Sequence, residues 1–319
     1  MNRTREITEA GLFAAILVLF IVGSFYIPIL GNLMVFFLPL PIVILTMKNK
    51  IVNALIAAVI AGLISSTLVT LVYGLSMAAV AVGVGLPLGW MMKKKQPALN
   101  VVLIGGLGAL VAFFLFFLLL DLTTGVSITE EIERSFTMSM DFQESFGKTM
   151  ENMGAKNVSE TFEQSKETLE EMLYLMGLIL PSLLIVFSMF YTLINMLMAH
   201  QILKRMRIDH RPLGSFADFT YPKHLAYGSA GMIVLAYLVG STGFVDPVLL
   251  TANFSYLFFM IFAVQGSALI YFFMNKYFNK GLSRLMLALI LFIGGFQYIA
   301  FIGFFDVIFN IRKFGKQAG

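Results

Sequence analysis

Chemistry in this chain is sought first among the ionisable side chains embedded in apolar runs, because a charge at mid-membrane costs roughly 2.5 to 3.5 kcal/mol on insertion scales. Glu9, Asp121 and Asp306 are the residues that qualify. Glu9 follows Arg5 by four positions, the spacing of a helical ion pair. Asp121 ends an apolar run and can reach water. Asp306 is the strongest candidate: Arg312 lies six residues on, and Asn310 falls on the same helical face at i+4. A carboxylate, a carboxamide and a guanidinium within two turns form a polar cluster that either satisfies itself or receives a ligand.

Uncharged polar residues interrupt the apolar runs more often. Ser65, Ser66, Thr67 and Thr70 share one run, Thr192 and Asn195 another, Asn253, Gln265 and Ser267 a third, and Gln297 the last. Thr192, Asn195 and Gln265 are the candidates to line a ligand cavity. Against that stands the commoner use of such groups as interhelical glue, worth about 0.6 kcal/mol per hydrogen bond.

Catalytic signatures are missing. The chain has no P-loop, no GxSxG elbow and no HExxH, and His200, His210 and His224 are neither clustered nor at ligand spacing. With no cysteine there is no disulfide, thiol chemistry or Cys-bound metal. No enzyme, cofactor or metal is therefore expected, and the energy for any driven transport would come from a partner.

The elements that position these residues are membrane helices. Of the 319 residues, 59% are hydrophobic and 13% charged, against roughly 45 to 50% and about 25% in soluble domains; the mean hydropathy is +0.87. The net charge of +4 does not indicate nucleic acid, because the basic residues cap apolar runs and form no single patch. They fall at Lys48 and Lys50, at Lys93 to Lys95, at Lys204 to Arg211, and at Lys276 to Arg284, and the connections between are not basic. Short basic loops stay cytoplasmic, so the alternation predicts repeated crossings with the N-terminus inside. Spans are expected near 8 to 27, 33 to 47, 51 to 72, 75 to 92, 98 to 120, 172 to 203, 224 to 240 and 248 to 274. The first reads as an uncleaved span, since no small-residue cleavage site follows it.

Residues 282 to 311 form one further apolar run that as a single helix would be about 45 Å long, beyond the hydrocarbon thickness. A break at Gly294 and Gly295 would return the basic tail to the cytoplasm, leaving nine or ten segments in play. The connection 121 to 171 carries twelve acidic residues against four basic ones and is expected outside. Ile128, Ile132, Phe136 and Met140, then Phe142, Phe146, Met150 and Met153, trace two amphipathic stripes. Asn157 and Glu160 have capping-box spacing for a helix entering the sixth span, which Pro181 should kink.

Small residues complete the pattern. Gly85 and Gly89 form a GxxxG, and Ala10 with Ala14 and Gly11 with Ala15 form two small-xxx-small pairs on adjacent faces of the first helix, where another backbone can approach closely. The opening RTREITEAGLFAAILVLF, residues 3 to 20, resembles the substrate-binding S components of energy-coupling factor (ECF) vitamin importers. The whole chain, including the closing GFFDVIFNIRK of residues 303 to 313, is similar to the YybS family of uncharacterised bacterial membrane proteins, which is grouped with those S components. The resemblance implies that an AxxxA pattern on the first helix, here Ala10 and Ala14, docks on a transmembrane coupling subunit driven by paired ATPases. S components are compact six-helix proteins, whereas this chain has more spans and a long acidic loop, and no vitamin-binding residue carries across.

The expectation is an all-α polytopic transmembrane bundle of about 8 to 10 segments, S-component-like. It divides into five helices over 1 to 120, an acidic extracytoplasmic connector over 121 to 171, and the remaining helices over 172 to 319 with a basic cytoplasmic loop at 204 to 223. The expected function is a small-solute-binding component of a bacterial inner membrane, contacting lipid and an ECF-type coupling subunit with its ATPases. The alternative is a membrane scaffold that recruits proteins through its loops.

Overall fold

The computed structural model describes residues 3–153, 158–243, 245–293 and 295–313, with backbone alone at 3, 28–29 and 158–170. The Asn157 and Glu160 cap, and Gly294 of the glycine pair, lie outside what is described. Among the described residues every regular element is helical. Seven helices are long and apolar enough to cross a membrane, or eight with one bent pair counted as a single span.

The chain forms two compact units. The first holds α1 (Arg3–Tyr26), α2 (Pro28–Phe37), α3 (Leu40–Lys48), α4 (Ile51–Leu68), α5 (Leu71–Lys93), α6 (Ala98–Thr124), α7 (Ile128–Asn152) and residues 187 to 213, which include the C-terminal part of α8 (Val158–Arg205). Its interior is built from Phe13, Ala14, Leu17 and Ile21 of α1 with small residues of α4 and α5. The expected segment 33 to 47 is two helices, because Pro39 and Pro41 lack the amide protons that would continue the helical ladder. The GxxxG of α5 packs on α3: a Cβ on Gly85 would stand 2.7 Å from Ile42 Cβ, and one on Gly89 2.9 Å from Thr46 Cβ. Both stripes of the acidic connector lie on the one helix α7, opened by a Ser127 and Glu130 capping box.

The second unit holds residues 175 to 186 of α8, a 3₁₀ turn at Phe216–Asp218, α9 (Lys223–Gly240), α10 (Pro247–Tyr277), α11 (Lys280–Phe292) and α12 (Phe296–Phe309). The last apolar run is broken: α11 and α12 meet at 118°. Helices α10 and α12 touch backbone to backbone, since a Cβ on Gly266 would fall on the Ile299 carbonyl oxygen and one on Gly303 on that of Phe262.

These units do not follow the chain order 1 to 120, 121 to 171, 172 to 319 expected from composition. Helix α8 is shared between them, residues 158 to 174 and 187 to 205 in the first unit and 175 to 186 in the second, and the reason for the later change is local. Phe187 and Tyr191 pack their rings on Phe36 and Phe113 of the first unit. Pro181 has no amide proton, and beside it the carboxamide of Asn253 in α10 enters the helical ladder. Ser182 N donates to Asn253 Oδ1 at 3.0 Å, and Asn253 Nδ2 donates to Leu178 O at 2.8 Å.

Candidate functional site

In the second unit, Asp306 sits in the last turn of α12, 2% exposed, in a helix whose Ile299, Ala300 and Val307 are also buried. Asn310 closes the helix in the left-handed region with φ 53°, a conformation Asn tolerates better than most residues. That reversal carries Arg312 back over the helix end, and its Nε donates to Asp306 Oδ2 at 3.2 Å. The expected proximity is therefore real, but it comes from a chain reversal and not from a continuing helix. Asn310 acts through its backbone; its side chain is exposed.

Gln265 of α10, fully buried, completes the centre. Its Nε2 donates to Asp306 Oδ2 at 2.6 Å and to Thr220 Oγ1 at 3.4 Å, while its Oε1 accepts from Tyr221 N at 3.0 Å. Arg312 Nη1 donates to Ala217 O at 2.5 Å. The connection 204 to 223 is thus not a free loop along its length. Residues 217 to 221 are held by two side chains, Gln265 and Arg312, both of which bond Asp306, and non-helical backbone is tolerated there because protein groups satisfy it. Burial pushes the Tyr221 phenol up to about 12. Two atoms of the centre, Asp306 Oδ1 and Arg312 Nη2, are buried without a hydrogen-bond partner.

The first unit has its own polar interior. Tyr191, Thr192 and Asn195 of α8 are buried. Tyr191 Oη donates to Val35 O at 2.7 Å, and Asn195 Nδ2 donates to Phe36 O at 3.0 Å, so both reach carbonyls loosened by the α2 to α3 break. Thr192 Oγ1 and Asn195 Oδ1 have no partner. In the same unit Thr46 Oγ1, Asn49 Oδ1 and Ser65 Oγ are likewise buried without a partner.

At the start of α1, Glu9 pairs with Arg5 at 3.2 Å as its spacing indicated, and also with Lys48 at 2.8 Å. Lys93 Nζ closes the end of α3 by donating to Thr46 O and Asn49 O at 2.9 and 2.6 Å. Ala14 is 5% exposed within the intramolecular core, and Ala10 packs against that core. Gly11 and Ala15 are exposed. The Ala10 and Ala14 face is therefore turned inward, which leaves the adjacent Gly11 and Ala15 face available to a partner.

One expectation is corrected here. His200 and His210 are adjacent in space: after α8 ends, Arg207 turns the chain at φ 55° and brings His210 Nε2 to 3.0 Å from His200 Nδ1. Ile208 O lies 2.7 Å from His210 Nδ1 and can only accept, so Nδ1 carries the proton. With His210 neutral, its Nε2 then accepts from His200 Nδ1. A shallow cavity beside the pair is lined by Met92, Gln96, Met196, His210 and Arg211. Among the described residues no group of three or more His, Cys, Asp or Glu could hold a metal ion. Nearby, the Lys95 ammonium hydrogen-bonds Asp209 at 2.5 Å and holds its carboxyl below the usual carboxylate range.

Residues 14–307 match the protein family described as "Predicted membrane protein (DUF2232)". The chain is 24% identical over 280 residues to "Uncharacterized protein YybS" of Bacillus subtilis (strain 168), covering 86% of each protein. The resemblance to that family thus extends over most of the length. No solved structure matches.

Proposed function

We propose that the chain, which belongs to the DUF2232 family of predicted membrane proteins, is a small-solute-binding component of a bacterial inner membrane, similar in its first unit to an ECF S component. The observation that carries this reading is the composition of that unit. Its membrane segments are α1, the broken pair α2 and α3, α4, α5, α6 and the C-terminal part of α8, six in all by this grouping. Six is the helix number that the resemblance implies. At its centre, partnerless buried oxygens of Thr192 and Asn195 stand beside a discontinuous helix, the arrangement in which secondary transporters place their solutes.

In this reading the N-terminus is cytoplasmic, and a coupling subunit with its ATPases meets α1 on the Gly11 and Ala15 face. The chain itself supplies binding and no bond-breaking step. Recruitment by a free 204 to 223 loop is less favoured, because Ala217 is buried and Tyr221 partly so.

The test is purification of the tagged protein from its native membranes in mild detergent, with mass spectrometry of bound small molecules and co-purifying proteins. Recovery of a discrete solute and a coupling subunit with ATPases is the expected result. Recovery of other membrane proteins, with neither solute nor ATPase, would overturn it in favour of a scaffold.

A further inference from the structure

On α7, Met138, Phe142 and Phe146, with the C-cap residue Met153, fall within an arc of about 80° at 3.6 residues per turn. They are 72, 72, 52 and 79% exposed. The Phe142 and Phe146 rings stack on each other at 6.4 Å with their faces still in the open. The adjoining arc, with Ile132, Phe136, Met140 and Met150, is half-buried. Glu130, Glu133, Asp141, Glu144 and Lys148 occupy the opposite side, and Glu131 in the first turn is the charge on the apolar side. A helix so divided, with half of its apolar arc in the open, needs an apolar covering.

Chain continuity says what that covering is. Helix α6 ends at Thr124, and its last turns present Leu118, Leu119 and Leu122 outward at 42, 43 and 74% exposure, as a lipid-facing span does. Three residues, Gly125 to Ser127, separate that end from α7. Three residues reach about 10 Å at most, so the start of α7 is tethered at the membrane boundary. We propose that α7 is an interfacial helix whose Met138, Phe142, Phe146 and Met153 row inserts into the acyl region of the leaflet at the C-terminal end of α6.

Its charge identifies the lipid class. Six acids against two bases on α7 give no attraction to anionic headgroups. Insertion is therefore driven by apolar burial and proceeds on zwitterionic lipid. This distinguishes α7 from the usual basic interfacial helix, which depends on anionic lipid.

The natural absence of cysteine gives a clean test. The full-length protein carrying M138C, F142C, F146C, T137C or D141C is labelled with a polarity-sensitive fluorophore. Each is placed in nanodiscs of phosphatidylcholine, with or without phosphatidylglycerol. Labels at 138, 142 and 146 should emit further to the blue than those at 137 and 141. Their quenching by a lipid-borne nitroxide should be roughly threefold stronger, in both lipid mixtures. All five positions are exposed, so labelling need not disturb the fold. Equal access of aqueous iodide to all five would overturn the proposal. So would efficient disulfide formation between two F142C chains in proteoliposomes, which would make a second copy the occupant.

Discussion

Removing Arg312 should loosen the strap at residues 217 to 221 far more than removing the whole Asp306 and Arg312 pair. The two side chains are 2% and 9% exposed, so either alone is a charge that water cannot solvate. In Arg312→Met, Asp306 keeps only the Gln265 bond on one oxygen, and its other oxygen already lacks a partner. Breaking a buried pair in this way costs about 3 to 5 kcal/mol, whereas an apolar replacement of both partners is near neutral. Asp306→Leu should cost as much as Arg312→Met, and the double variant about 1 kcal/mol or less, a coupling of roughly 5 kcal/mol or more. The readout is maleimide labelling of Ala217→Cys, a buried position whose carbonyl holds Arg312 whatever its side chain. In the fast-closing regime the labelling rate follows the open population, so each single change should speed it about a hundredfold or more. The double variant, which still lacks the Arg312 bond to Ala217 O but holds no unpaired buried charge, should label far more slowly than either single variant. Additive effects, or single changes that leave the rate within a fewfold of the parent, would refute the assignment of the pair as the strap's anchor.

Other outcomes follow from particular contacts. Ala14→Leu should lower thermal stability in detergent by about 1 to 3 kcal/mol through overpacking, while Ala15→Leu should leave it unchanged and abolish recovery of a coupling partner. Gly303→Leu should separate α10 from α12, with a loss of about 3 kcal/mol or more in the same melt, and an unchanged melt would contradict the backbone contact. Asn253→Leu should cost only about 1 kcal/mol, because Ser182 N and Leu178 O are four residues apart and can re-pair; a loss several times larger would mean that they cannot. Asp209 has a folded pKa below its unfolded one, so the Lys95 bridge contributes fully above the unfolded value and is lost as pH falls through the lower folded one. Asp209→Asn should then behave as the parent once the pH has fallen below that folded value, which an acid titration of stability checks.

Much of the architecture was legible because a bilayer demands long apolar runs, and those runs from α1 to α10 are visible by eye. The Glu9 and Arg5 pair was legible because four residues is one helical step. Asp306 with Arg312 was found by spacing, although the spacing argument assumed a helix that Asn310 ends. The docking of residues 217 to 221 on Gln265 and the insertion of Asn253 at Pro181 join positions more than forty residues apart. No local periodicity carries such pairings. The meeting of His200 and His210 is not legible in the sequence because it depends on one left-handed residue, Arg207, in a segment with no pattern of its own. The α2 to α3 break was not legible, because the apolar run over 33 to 47 reads as a single span and Pro39 and Pro41 interrupt it without changing its hydropathy.

That break ties distant parts of the chain in their histories. Pro39 withholds the amide that would have served Val35 O, and Tyr191 supplies a hydroxyl to the same oxygen. A Pro39→Leu change would return the amide and make the hydroxyl redundant. Tyr191→Phe in the present chain would leave Val35 O with its 3.2 Å bond from Leu38 N. Each substitution thus alters what the other costs. Among relatives, a phenylalanine at the position of Tyr191 is expected mainly where the position of Pro39 is no longer proline, a covariation that an alignment of the family would reveal.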